Sequence, residues 1–316
     1  MRPFLALVLL SSCTQQADLV QLRRNCLESG QSTLAVDASA TLRALVRMEA
    51  GYAVFFVDER QLQLVELDEG GVPRTEPFAV GSGNNFRQLS AVRFEGGYRL
   101  ASNRFVDGRR QIFLTSLVDG DVEERQFTEG FDGGDDGFLD VQDDVVLLAY
   151  RARDEWVVVD VESGAERLRV SRDSTDTEIV GFWPNAVLGR DVEDFVVVGF
   201  DGTEQRLGPV AQDDTDEAIA AAHPRGWAAA YADGQTQLWG PASSAIAAIA
   251  GEATHVALAV DAEGADVVRV TADGVRLGDA LLVDAARRSF AERLGGGVLV
   301  GVERVDPRVE LYRVCE

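Results

Sequence analysis

The sequence predicts an all-β protein: a β-propeller of seven, alternatively six, four-stranded blades, closed by its N- and C-terminal segments. Three observations carry that expectation. No long helical period runs through the chain, and short β-rich runs are cut instead by Gly and Asp. The runs come in pairs joined by tight polar turns. The pairs recur along most of the chain at a similar interval.

The clearest pairs, in order, begin at Gly51 (GYAVFFVDERQLQLVELDEGG), Gly96, Asp143, Asn185, Arg225, Thr254 and Gly296. Each reads as strand, turn, strand. Several turns are Asp-Gly, as at Asp119-Gly120, Asp201-Gly202 and Asp273-Gly274, a dipeptide that supplies the positive φ of tight hairpins. A further strand precedes many pairs: ALVRME before Tyr52, LSAVRFE before Tyr98, FLDVQ before Val145, EIVGFW before Ala186 and AIAAAH before Trp227. A fourth follows in places, as VEERQFT does after Val118. Four strands make a blade.

Anchors on the leading strands fall at Tyr52, Tyr98, Val145, Ala186, Trp227, Val256 and Val298, giving intervals of 46, 47, 41, 41, 29 and 42 residues. A period of about 40–45 residues with several short strands per unit is that of a propeller. The interval of 29 is the exception: either one blade has lost strands, or the ring has six blades. This layout resembles the WD40-like and TolB-like propellers over residues 40–316. GQTQLWG comes near the WD40 strand ending, without a preceding Gly-His pair. The last unit stops after VELYRVC, one strand short. A strand near Thr33-Leu34-Ala35-Val36 would complete it.

The chain opens MRPFLALVLLSSCTQQ. Phe4–Leu10 is far shorter than the about 20 apolar residues a membrane span needs, so it reads as the core of a signal peptide behind Arg2. Leu10-Ser11-Ser12-Cys13 resembles a bacterial lipobox. The resemblance implies a cleaved signal at 1–12, lipidation of Cys13, and a tether and N-terminal segment over 13–30 ahead of the propeller domain at 31–316. Two or three acyl chains anchor stably where one is marginal. Thr14, rather than Asp, after the cysteine implies the outer membrane. The signal is short for the family. In an exported protein the two remaining cysteines, Cys26 and Cys315, read as a disulfide. It would lock the seam between the chain ends and contribute roughly 4–5 kcal/mol.

The net charge is −23, and all thirty basic residues are arginine. An acidic excess disfavours nucleic acid, whose binding depends on neutralising phosphates, and disfavours adsorption to anionic lipid. It serves solubility.

Catalytic patterns are sparse. The two histidines, His223 and His255, sit at strand edges. No nucleophile elbow, P-loop or dinucleotide fingerprint is present. GSGNNF at Gly81–Phe86 reads as an inter-blade turn, with a small backbone anion nest as the alternative. FDGGDDGFLD places Asp132, Asp135, Asp136 and Asp140 within nine residues. It reads as a solvated inter-blade loop, with calcium as the alternative because calcium takes several oxygens from flexible loops. Asp213–Glu217 is similar. No other cofactor is expected.

The function expected from these features is that of a lipid-anchored envelope propeller acting as a protein-binding or scaffold module: a monomer that binds an envelope protein partner, meets the membrane through its lipid anchor and binds no nucleic acid. The alternatives are a calcium-dependent surface module, or a propeller hydrolase or lyase using central carboxylates.

Overall fold

The computed structural model describes residues 32–33 and 41–315, apart from 59–60, 69–71, 83–88, 129–133, 173–176, 184, 192–193, 210–216, 224–225, 233–234, 240–244, 251–254, 261–264, 278–279, 285, 294–296 and 305–308; within 207–256 it describes the backbone alone. Among the described residues the strands form seven four-stranded antiparallel sheets. The first holds β2 (Thr41–Met48), β3 (Gly51–Asp58), β4 (Gln61–Leu67) and β5 (Phe78–Ser82). The second holds β6 (Leu89–Phe94), β7 (Gly97–Val106), β8 (Arg109–Val118) and β9 (Asp121–Gln126). The third holds β10 (Gly134–Gln142), β11 (Val145–Ala152), β12 (Glu155–Asp160) and β13 (Glu166–Ser171). The fourth holds β14 (Thr177–Trp183), β15 (Ala186–Asp191), β16 (Asp194–Gly199) and β17 (Glu204–Pro209). The fifth holds β18 (Glu217–His223), β19 (Gly226–Ala232), β20 (Gln235–Trp239) and β21 (Ala245–Ala250). The sixth holds β22 (His255–Val260), β23 (Ala265–Thr271), β24 (Gly274–Leu277) and β25 (Ala280–Val283). The seventh joins β26 (Ala286–Arg293), β27 (Gly297–Arg304) and β28 (Val309–Cys315) to β1 (Ser32–Thr33).

The first strand of each sheet touches the first strand of the next: β2 to β6, β6 to β10, and so on to β22 and β26. β26 in turn touches β2. Each sheet therefore packs a face against each neighbour, the layout of a β-propeller. β1 pairs antiparallel with β28, Ser32 opposite Leu311 and Thr33 opposite Glu310.

Burial explains the sequence pattern. The middle strands are covered on both faces, so they read as unbroken apolar runs rather than alternations. Gly51–Phe56 are all buried, as are Trp156–Asp160 and Phe195–Val198. The outermost strand faces water, and all six residues of β9 are exposed. The cores lie between sheets. Leu42, Tyr52 and Phe56 of the first sheet meet Leu299 and Leu311 of the seventh. Phe55 and Leu64 meet Leu89 and Leu100 across to the second.

Two expectations change. Val256 lies on the inner strand β22, whereas the other anchors lie on second strands. Measured from Ala265, at the start of β23, the intervals on either side become 38 and 33 residues. The apparent short repeat is thus a change of strand, and the sixth sheet keeps all four. Second, most of FDGGDDGFLD is strand rather than loop, since β10 begins at Gly134. A bulge between Asp135 and Phe138 takes up Asp136 and Gly137. A small residue suits this place because side chains of the second sheet pack close to it: a Cβ on Gly137 would lie 3.4 Å from Ile112 Cδ1 of β8 and 3.6 Å from Ala101 Cβ of β7.

Candidate functional site

In each meander the first and third turns lie at one end of the sheet. The second turn and the link to the next sheet lie at the other. Between the second and third sheets, this second end opens into a cleft of about 590 Å³, within the size range of ligand pockets. Phe127 and Thr128, just past β9, line one wall. Tyr150 and Ala152 of β11, the turn residues Arg153 and Asp154, Glu155 of β12, and Arg169 and Ser171 of β13 line the other.

The wall residues are held from behind. Phe127 and Tyr150 pack edge to face, ring centres 5.9 Å apart at 87°, a geometry favoured by the ring quadrupoles. Arg125 lies 5.8 Å from the Phe127 ring centre, and its Nη2 donates to the Val161 carbonyl at 2.9 Å. The Thr128 hydroxyl accepts from the Ile112 amide and donates to Gln111 Oε1, each at 2.9 Å. Arg169 donates from Nε to Glu166 at 2.9 Å and from Nη1 to Glu155. These two carboxylates, Glu166 foremost, raise its pKa and keep the guanidinium charged. Burial raises the pKa of the Tyr150 phenol, so it stays protonated and can donate.

The turn end of the same interface holds a second cleft of about 650 Å³, lined by Arg99, Glu123, Arg125 and Glu162 among others. Arg99 Nε and Glu162 Oε1 are 2.8 Å apart and tie the two sheets together.

The inner strands carry two unusual acids. Asp140 on β10 and Glu292 on β26 hold equivalent hairpin positions, opposite Leu147 and Leu299. Burial raises both carboxyls. Glu292 is pushed up to about 8, with Arg47 pulling it back. Asp140 accepts from Gln142 Nε2 at 2.9 Å, which partly offsets its burial. The two belong to the third and seventh sheets, which are not neighbours in the chain order of sheets.

The other sequence candidates are scattered. Cys13, Cys26 and Asp132 lie outside the described residues. Cys315 ends β28, its backbone opposite Gly297. Asp135 lies opposite Arg151 in the ladder, with the bulge and several residues separating it from Asp140. Among the described residues no group of three or more His, Cys, Asp or Glu side chains is placed to hold a metal. His223 ends β18 and His255 begins β22, on different sheets. Sequence reasoning did not single out Phe127, Tyr150 or Arg169. Each sits in an ordinary strand pattern, and the cleft exists because two separate repeats meet.

No protein-family model matches the chain, and no curated protein matches it in sequence. Solved structures do match in shape. The β-propeller domain of Cps50 (Swd1) from Myceliophteria thermophila superposes with a TM-score of 0.58 at 13% identity, covering 89% of this chain and 98% of that one. The computationally designed Ika8 protein does so with a TM-score of 0.56 at 15% identity, with the same coverage. At such identity the likeness shows the fold alone: a β-propeller.

Proposed function

We propose that this chain is a lipid-anchored protein-binding or scaffold module of the bacterial envelope, built as a seven-bladed ring. The observation that carries the binding role is the cleft between the second and third sheets. Its charged and aromatic walls are braced by hydrogen bonds and ion pairs on rigid strands, where recognition surfaces commonly sit. The ring reading rests on the contact of β26 with β2. Closure by β1 rests on its pairing with β28.

Anchoring rests on Leu10-Ser11-Ser12-Cys13 behind the apolar run Phe4–Leu10, and Thr14 favours the outer membrane. A Cys26–Cys315 disulfide would pin the closing strand.

Intact mass of the protein from its own membranes tests the anchor. The expected mass is that of a chain starting at acylated Cys13, gaining two hydrogens on reduction. A full-length, unlipidated mass with free thiols would overturn both assignments. Photo-cross-linking in intact cells tests the binding role. The expected product is a defined envelope protein whose cross-link survives chelator. Loss of cross-link and of thermal stability with chelator would instead favour a calcium-dependent module.

A further inference from the structure

The outer strand of a sheet presents main-chain N–H and C=O groups that have no partner within the sheet. Such an edge pairs with another strand unless charge, proline, shortness or a cover prevents it. Six of the sheets carry one of these protections. β9 holds Asp121, Glu123, Glu124 and Arg125, β13 holds Glu166, Arg167 and Arg169, and β17 holds Glu204, Arg206 and Pro209. β5 follows Pro77 and lies against β9, with Glu124 Oε2 3.8 Å from where a Cβ on Gly81 would stand. β25 has only four residues and is followed by the exposed Asp284. In the seventh sheet β28 holds Glu310 and Arg313 and is paired with β1.

The fifth sheet is the exception. Its outer strand β21, Ala245-Ile246-Ala247-Ala248-Ile249-Ala250, has neither charge nor proline. Among the described residues β20 is its one strand partner. The ladder with β20 is regular from Ala247 to Ala250, so alternate residues there aim both main-chain groups outward. β19 (GWAAAYA) and β20 (QTQLW) are uncharged too. Over residues 226–251 Asp233 is the single charged residue, in a chain of which 26% is charged. A protein of net charge −23 has ample charge to protect this edge, and the edge is bare of it.

We infer that the free edge of β21 is a docking surface for an extended, uncharged segment of a second protein, which adds to the fifth sheet as a further strand. Main-chain groups spaced along a strand are matched by another extended backbone. The side chains opposite β21 are uncharged because a charged residue there finds no cross-strand counter-ion on β21. A second copy of this chain is disfavoured, since two molecules of net charge −23 repel each other. This surface is separate from the cleft between the second and third sheets, and it stands or falls independently of that cleft.

The test uses the full-length protein and a fluorescein-labelled pool of short peptides that alternate Val, Ile or Thr with Ser or Gln. A matched pool interrupted by prolines cannot form a ladder. Binding is read by fluorescence polarisation and by amide hydrogen exchange. The alternating pool should bind, slow exchange in β21 and leave β9 unchanged; the proline pool should do neither. Of Ala247 and Ala248, one aims its N–H at β20 and the other aims it outward. One of Ala247→Pro and Ala248→Pro should therefore lower the melting temperature, while the other keeps it and weakens peptide binding by about tenfold or more. No binding, equal binding of the proline pool, protection outside β21, or wild-type affinity in the proline variant that keeps its melting temperature overturns the inference. If both variants lose stability, the exchange pattern of the wild-type protein decides. Protection of β21 without peptide, growing with protein concentration, would make the occupant a second copy and overturn the one inferred.

Discussion

At the scale of residues, two side chains illustrate how the packing between sheets constrains single positions. Trp156 is fully buried and lies flat against Gly189 of the fourth sheet: a Cβ there would sit 1.9 Å from its ring. Arg172 covers the indole, 4.1 Å from a ring centre, and its Nη1 donates to Glu204 at 2.9 Å. Gly189→Ala must displace a ring wedged between two sheets, and we expect a loss of about 1–3 kcal/mol or more in chemical denaturation. Glu292 sets a pH dependence. Its folded pKa of about 8 lies above the ordinary 4.5, so the folded state holds a proton that the unfolded state releases first. Its contribution is most favourable below about pH 4.5 and declines as pH rises to about 8, by at most about 1.4 kcal/mol per pH unit. The raised Asp140 acts in the same direction. Melting curves from pH 5 to 8 should therefore flatten in Glu292→Gln, with a gain in stability at the alkaline end. An unchanged slope would place the proton elsewhere.

At the scale of elements, the sheets are separate meanders joined by apolar faces and a few polar ties. Gln142 at the end of β10 is one such tie. Its Nε2 donates to Asp140 and, at 2.8 Å, to the Trp183 carbonyl, while its Oε1 accepts from the Asn185 amide at 2.9 Å. Gln142→Met keeps the length and loses all three bonds. We expect a loss of about 1–3 kcal/mol, measured by denaturant titration. The second and third strands were legible in sequence because burial on both faces leaves them uniformly apolar, as in AVFFV and WVVVD. The inner strands were less so. β10 carries glycines, acids and a bulge, and locally it resembles a loop. Its antiparallel ladder with β11 makes it a strand.

At the scale of the whole molecule, seven sheets pack face to face in chain order, and the last strand position is filled from the other end of the chain. A variant beginning at residue 41 lacks β1 and leaves the outer edge of β28 without it. Faster amide exchange in β28 and a lower melting temperature are expected; unchanged exchange would show that the seventh sheet is complete without β1. Reduction of the proposed Cys26–Cys315 bond should lower the melting temperature by roughly 4–10 °C.

The repeat of paired apolar runs, the Asp-Gly turns and the missing final strand determined the all-β architecture from sequence alone, because each is a local signal written in adjacent residues. Only the tertiary structure decided which strands share a sheet, that Val256 begins an inner strand, and that Phe127 and Tyr150 from neighbouring repeats close on one cleft. Those facts depend on faces meeting across distances of tens of residues, and no local pattern encodes which faces meet.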